Sequence, residues 1–70
     1  MLTQVLGKKV ILRGSLAHIP TDTITKYVIM AKKKYGNHIA FETVYMCKNR
    51  NNTVHVEVFD HTGKVYTVCN

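Results

Sequence analysis

Cysteine is scarce. Cys47 and Cys69 are the only two, too few for the disulfide framework that holds small secreted domains together. Long apolar runs are missing, and none approaches the roughly 20 residues a membrane span needs. The first dozen residues place Lys8 and Lys9 after Leu2, Val5 and Leu6 and hold no extended apolar core, which argues against a secretory leader. The four histidines, His18, His38, His55 and His61, form no pair with zinc-ligand spacing. There is no glycine-rich phosphate loop and no Ser-His-Asp or Cys-His signature. The ribonucleoprotein motif and the GXXG loop of common RNA-binding modules are also missing. These gaps predict reduced, buried cysteines and a cytoplasmic protein with no metal, no cofactor and no membrane segment.

Acidic residues are also few. Ten Lys and Arg stand against four Asp and Glu, for a net charge of +6. On a chain of 70 residues that excess favours an acidic partner, either nucleic acid or an acidic protein. The length predicts a single domain over residues 1–70. A chain this short buries only about 60% of its unfolded surface, so its stability margin is thin. Apolar residues are nonetheless ample for a core, which excludes a disordered basic tail.

The best-specified stretch is the second half, residues 38–69. Three runs of strand-formers are separated by Asn49-Arg50-Asn51-Asn52 and Asp60-His61-Thr62-Gly63, which predicts an antiparallel meander. With four-residue turns, Lys48 pairs with Thr53 and Phe59 with Lys64. Alternation then puts Ile39, Phe41, Thr43, Tyr45, Cys47, Val54, Val56, Val58, Val65, Thr67 and Cys69 on one face, the expected core. The opposite face would carry Ala40, Glu42, Val44, Met46, His55, Glu57, Phe59, Lys64, Tyr66 and Val68. Such a mixture of charge and large apolar groups reads either as strand propensity alone or as an interface for a partner protein or a second copy of the chain. A one-residue slip would exchange the faces.

In the first half, residues 9–13 read as a strand, with residues 2–6 as a weak extra strand and a turn at Gly7-Lys8. Residues 15–20 read as a connection. Over residues 21–35 the apolar positions Ile24, Tyr27, Val28, Ala31 and Tyr35 fall on one helical stripe. Thr21 or Asp22 offers an N-cap, and Lys32, Lys33 and Lys34 fill a last turn closed by Gly36. The β-branched content instead favours a strand. The helical reading gives an α+β fold, β-α-β-β-β, with one helix on a small, mainly antiparallel sheet. The alternative is an all-β five-stranded small barrel.

The function expected is that of a small basic, non-enzymatic binding protein. It would contact nucleic acid through Lys8, Lys9 and Arg13, through Lys32, Lys33 and Lys34, and through Lys48 and Arg50, with Tyr35 or Tyr66 available to stack on bases. The alternative is a protein–protein modulator or inhibitor acting through Val44, Met46, His55, Glu57, Tyr66 and Val68. A third reading, a small ribonuclease-like enzyme, rests on His55 and Glu57 sharing a face with Glu42, Lys64 and Tyr66, since a His and a carboxylate beside a cation can run general acid–base chemistry.

Overall fold

The computed structural model describes residues 2–69. One helix lies on a five-stranded mixed sheet that is not closed into a barrel. The order is β1 (Leu2–Val5), β2 (Lys8–Leu12), a short 3-10 turn (Gly14–His18), α1 (Thr21–Tyr35), β3 (Thr43–Lys48), β4 (Val54–Phe59) and β5 (Val65–Cys69). In space the strands follow their sequence order, β1-β2-β3-β4-β5. All neighbours are antiparallel except β2 and β3, which the helical crossover joins in parallel. The α+β expectation therefore holds, and residues 2–5 of the weak extra strand form a paired edge strand, with Leu6 in the turn that follows. Among the described residues no helix is long and apolar enough to cross a membrane.

Local chemistry sets each boundary. Leu6 and Gly7 both take positive φ, 53° and 78°, the conformation of a two-residue hairpin turn whose twist matches its strands. The turn thus falls one residue earlier than expected. The helix spans the predicted residues, but its N-cap position is Pro20, held in extended backbone, with no side-chain cap. Thr21 and Asp22 lie inside the first turn. At the other end the Gly36 N–H donates to the Lys32 carbonyl at 2.8 Å, and a Cβ on Gly36 would collide with that same carbonyl. Ile24, Val28 and Ala31 are buried, with Tyr27 and Tyr35 packed against the same core. The β-branched residues that favoured a strand are accommodated because tertiary burial outweighs a few tenths of a kcal/mol of propensity per residue.

The meander forms with both turns one residue shorter than expected. Asn49 N–H donates to Thr53 O at 3.0 Å, and Asp60 N–H donates to Lys64 O at 3.1 Å. The loops are therefore Arg50-Asn51-Asn52 and His61-Thr62-Gly63, each ending in a left-handed residue, Asn52 (φ 62°) and Gly63 (φ 87°). This is the three-residue loop built on a type I turn followed by a left-handed position. Asn49 Oδ1 accepts from Asn51 N–H, Thr53 N–H and the Thr53 hydroxyl. Asp60 Oδ1 accepts the equivalent set from Thr62 N–H, the Thr62 hydroxyl and Lys64 N–H.

That single residue corrects the face assignment. Lys48 pairs with Val54, Met46 with Val56 and Val44 with Val58, while Val58 pairs with Tyr66 and Phe59 with Val65. Strand β4 keeps the faces expected of it, but β3 and β5 exchange theirs. Val44, Met46, Val56 and Val58 are fully buried beneath the helix, together with Val10, Leu12, Leu16 and Phe41, and Val68 is buried with them. Tyr66 is half-buried in the same layer, its ring 5.4 Å from Tyr35. The proposed interface patch of Val44, Met46, Tyr66 and Val68 is thus core, and Thr43, Tyr45, Cys47, Val65 and Thr67 lie on the other side of the sheet. A bulge between Val56 and Glu57 shifts the end of β5, so that Cys69 pairs with Val56.

Candidate functional site

The helix covers one face of the sheet and leaves the other without a second layer among the described residues. Two complete cross-strand rows run over this open face. One reads Gln4, Lys9, Thr43, Phe59, Val65; the next reads Leu2, Ile11, Tyr45, Glu57, Thr67. Beyond them Cys47 pairs with His55, and Arg13 follows Leu12 at the end of β2.

Two aromatic rings sit side by side at the centre. Tyr45 and Phe59 are half-buried, with centroids 6.5 Å apart and planes at 87°, an edge-to-face arrangement that satisfies the ring quadrupoles. Arg13 Nη1 donates to the Tyr45 hydroxyl at 3.1 Å. That hydrogen bond, the largest cause, holds the guanidinium above its ordinary pKa. It also anchors an exposed cation at the rim of the rings. Lys9 lies exposed on the same face, on the row that holds Phe59. The acid on these rows is Glu57, whose Oε2 lies 3.3 Å from His55 Nε2. Lys64 sits over the Tyr66 ring at 5.3 Å.

The eight basic residues named from the sequence divide into three groups. Arg13, Lys48 and Arg50 stand together at one end of the sheet, because Arg13 N–H bonds Met46 O and Lys48 closes β3 just beyond. Arg13 and Lys9 are exposed on the open face, whereas Lys48, in the row of Val54, turns to the helix side and Arg50 lies in the loop beyond. Lys8 points to the helix side, donates to Phe41 O at 2.7 Å and covers the Phe41 ring at 4.4 Å. Lys34 donates to Val68 O at 3.3 Å. Both serve the fold. Lys32 and Lys33 are exposed on the helix layer, on the side of the molecule away from the rings. Tyr35 donates its hydroxyl to Thr67 O at 2.7 Å, and it and Tyr66 pack against the core on the helix side, so neither lies on the open face.

The histidine and carboxylate of the catalytic reading remain together, but Glu42, Lys64 and Tyr66 do not join them. Clefts of about 300 Å³ open at Thr43, Phe59, Asp60 and His61 and near Gly36 and His38, and neither is lined by His55 or Glu57. Among the described residues no group of three or more His, Cys, Asp or Glu is placed to hold a metal ion. Cys47 and Cys69 are free thiols. Cys69 donates to Val54 O at 3.8 Å.

Tyr45 is the functional candidate that sequence reasoning missed, because the longer turn sent it to the core. The signal was present in the turn. Asn or Asp at the first position with Asn or Gly three residues later is the signature of a type I turn continued into a left-handed residue. No protein-family model, no curated protein and no solved structure matches the chain.

Proposed function

We propose that this is a small basic binding protein that takes nucleic acid on the open face of its sheet. The observation that carries the reading is the conjunction of Arg13 and Lys9 with the Tyr45–Phe59 pair on one uncovered surface. Cations supply phosphate contacts independent of sequence, and the rings supply apolar area that bases can cover. The net charge of +6 draws a polyanion to the whole molecule, and the open face gives it somewhere to settle.

The test is fluorescence anisotropy of a labelled mixed-sequence nucleic acid against the protein over a range of salt. Affinity should fall steeply as salt rises. Replacing Lys9 and Arg13 together by Gln should flatten the log–log slope by about 1.5, the contribution of two phosphate contacts. Failure to bind at low salt, or binding indifferent to salt, would remove nucleic acid as the partner.

A second reading, a modulator that binds another protein, draws on Leu2, Ile11 and Val65, which are 65%, 37% and 44% exposed on this same face. Apolar area left in water on a small domain favours an interface. Binding through it would be nearly insensitive to salt, which separates the two.

A further inference from the structure

The two rings at the centre of the open face differ in plane by 87° and stand 6.5 Å apart. In a base-paired helix, successive bases are parallel and about 3.4 Å apart, with their faces already covered by their neighbours. Neither the spacing nor the angle of Tyr45 and Phe59 matches such a stack. A five-stranded sheet is also too broad for the major groove, which admits a helix or a two-stranded ribbon. An unpaired strand is different, because its consecutive bases are free to turn relative to one another and their π-faces are open.

From this geometry, and resting on the nucleic-acid reading above, we infer that the ligand is an unpaired strand. Its bases stack on Tyr45 and Phe59 while its backbone is held by Arg13 at one end of the rings and Lys9 on the row of the other. The charge arrangement suits this path. Arg13 is fixed to the Tyr45 hydroxyl at 3.1 Å, so a phosphate bound there lies one nucleotide's reach from a base on that ring. Glu57, which would repel the backbone, sits against His55 at 3.3 Å. Binding of this kind is tolerant of sequence, because every base has a π-face.

The experiment compares a labelled oligouridine of about 12 nucleotides with a hairpin duplex of similar length, using the intact protein and three variants. Tyr45→Leu and Phe59→Leu remove one ring each while keeping an apolar side chain on the sheet. The double Gln variant of Lys9 and Arg13 removes charge. Thermal melting monitored by circular dichroism establishes that each variant is folded. The expected result is preference for the single strand, with each ring variant weakening it by about 5- to 150-fold, and with an unchanged salt slope in Phe59→Leu, which leaves the Arg13–Tyr45 hydrogen bond in place. The charge variant should instead weaken both ligands and flatten the slope. If the duplex binds as well as the single strand and the ring variants are indifferent, the unpaired-strand inference falls while the nucleic-acid reading stands. If neither ligand binds, both fall.

Discussion

Asp60 accepts a hydrogen bond from the Tyr66 hydroxyl at 3.1 Å, across the turn that joins β4 to β5. Its other carboxylate oxygen accepts three more, from Thr62 and Lys64. Hydrogen bonds to the charged form favour it, and that from the Thr62 hydroxyl is the largest cause lowering the Asp60 pKa from an ordinary 3.8 to about 2. Tyr66 is shifted the other way, raised first by burial and then by its bond to Asp60.

The Asp60 shift gives a pH dependence with a definite sign. The folded state holds the proton less tightly than the unfolded chain, so the carboxylate contributes stability at neutral pH. That contribution is lost as pH falls from about 4 toward 2. Asp60→Asn should keep the turn, since Asn49 makes the equivalent contacts with an amide. It should also flatten this acid limb. Urea midpoints for both proteins between neutral pH and pH 2 check it, and parallel acid limbs would show that Asp60 is not the titrating group.

Leu6 is 51% exposed and sits at φ 53°, where a Cβ clashes with the following carbonyl. Left-handed backbone costs an ordinary L-residue about 1–2 kcal/mol, and Asn bears it better. Leu6→Asn should therefore stabilise the protein by about 0.5–1 kcal/mol, read as a higher urea midpoint.

Val56→Ala and Val65→Ala separate the two faces. Val56 is fully buried beneath the helix, and its truncation should cost about 1–3 kcal/mol through lost burial and a residual cavity. Val65 lies on the open face, so its truncation should stay within about 0.5 kcal/mol of wild type. Equal losses at the two positions would contradict the register.

The cations of the helix layer supply an internal control for binding. Replacing Lys32 and Lys33 by Gln should change affinity for the oligouridine by less than about threefold, a general effect of lower net charge. Removing Lys9 and Arg13 should change it far more. Equal effects from the two pairs would mean that the polyanion is held by overall charge and not by the open face.

The bounds of the helix were legible in the sequence from its apolar stripe and the closing glycine, although the β-branched residues left a strand open and the N-cap fell on Pro20 rather than on Thr21 or Asp22. The mixed sheet was legible in its strand runs, but the face each strand presents was not. That depends on the parity of two loops, and parity is decided by whether Asn49 and Asp60 belong to the turn or to the ladder. Their side chains accept from residues two and four positions on, which places both in the ladder. The apolar character of Val44, Met46 and Val68 already favoured that answer. For the site, Lys9 and Arg13 were legible from charge alone. Tyr45 could be added only once the register was known. The structural duties of Lys8 and Lys34 depend on backbone carbonyls more than 30 positions away in the chain, which no local pattern encodes.

The parallel seam between β2 and β3 divides the molecule into parts of unequal autonomy. In the meander each strand meets its sequence neighbour, and a short loop closes each contact cheaply. The N-terminal hairpin reaches the sheet through pairs such as Val10 with Val44, so the whole crossover must be ordered before that ladder forms. Closing the longer loop costs more entropy, and non-local pairings are the slower to form. The amides of β2 and β1 should accordingly exchange with solvent through a partial opening that leaves the meander intact. A protease that captures this opening would release the first strands while the Tyr66–Asp60 corner remains folded.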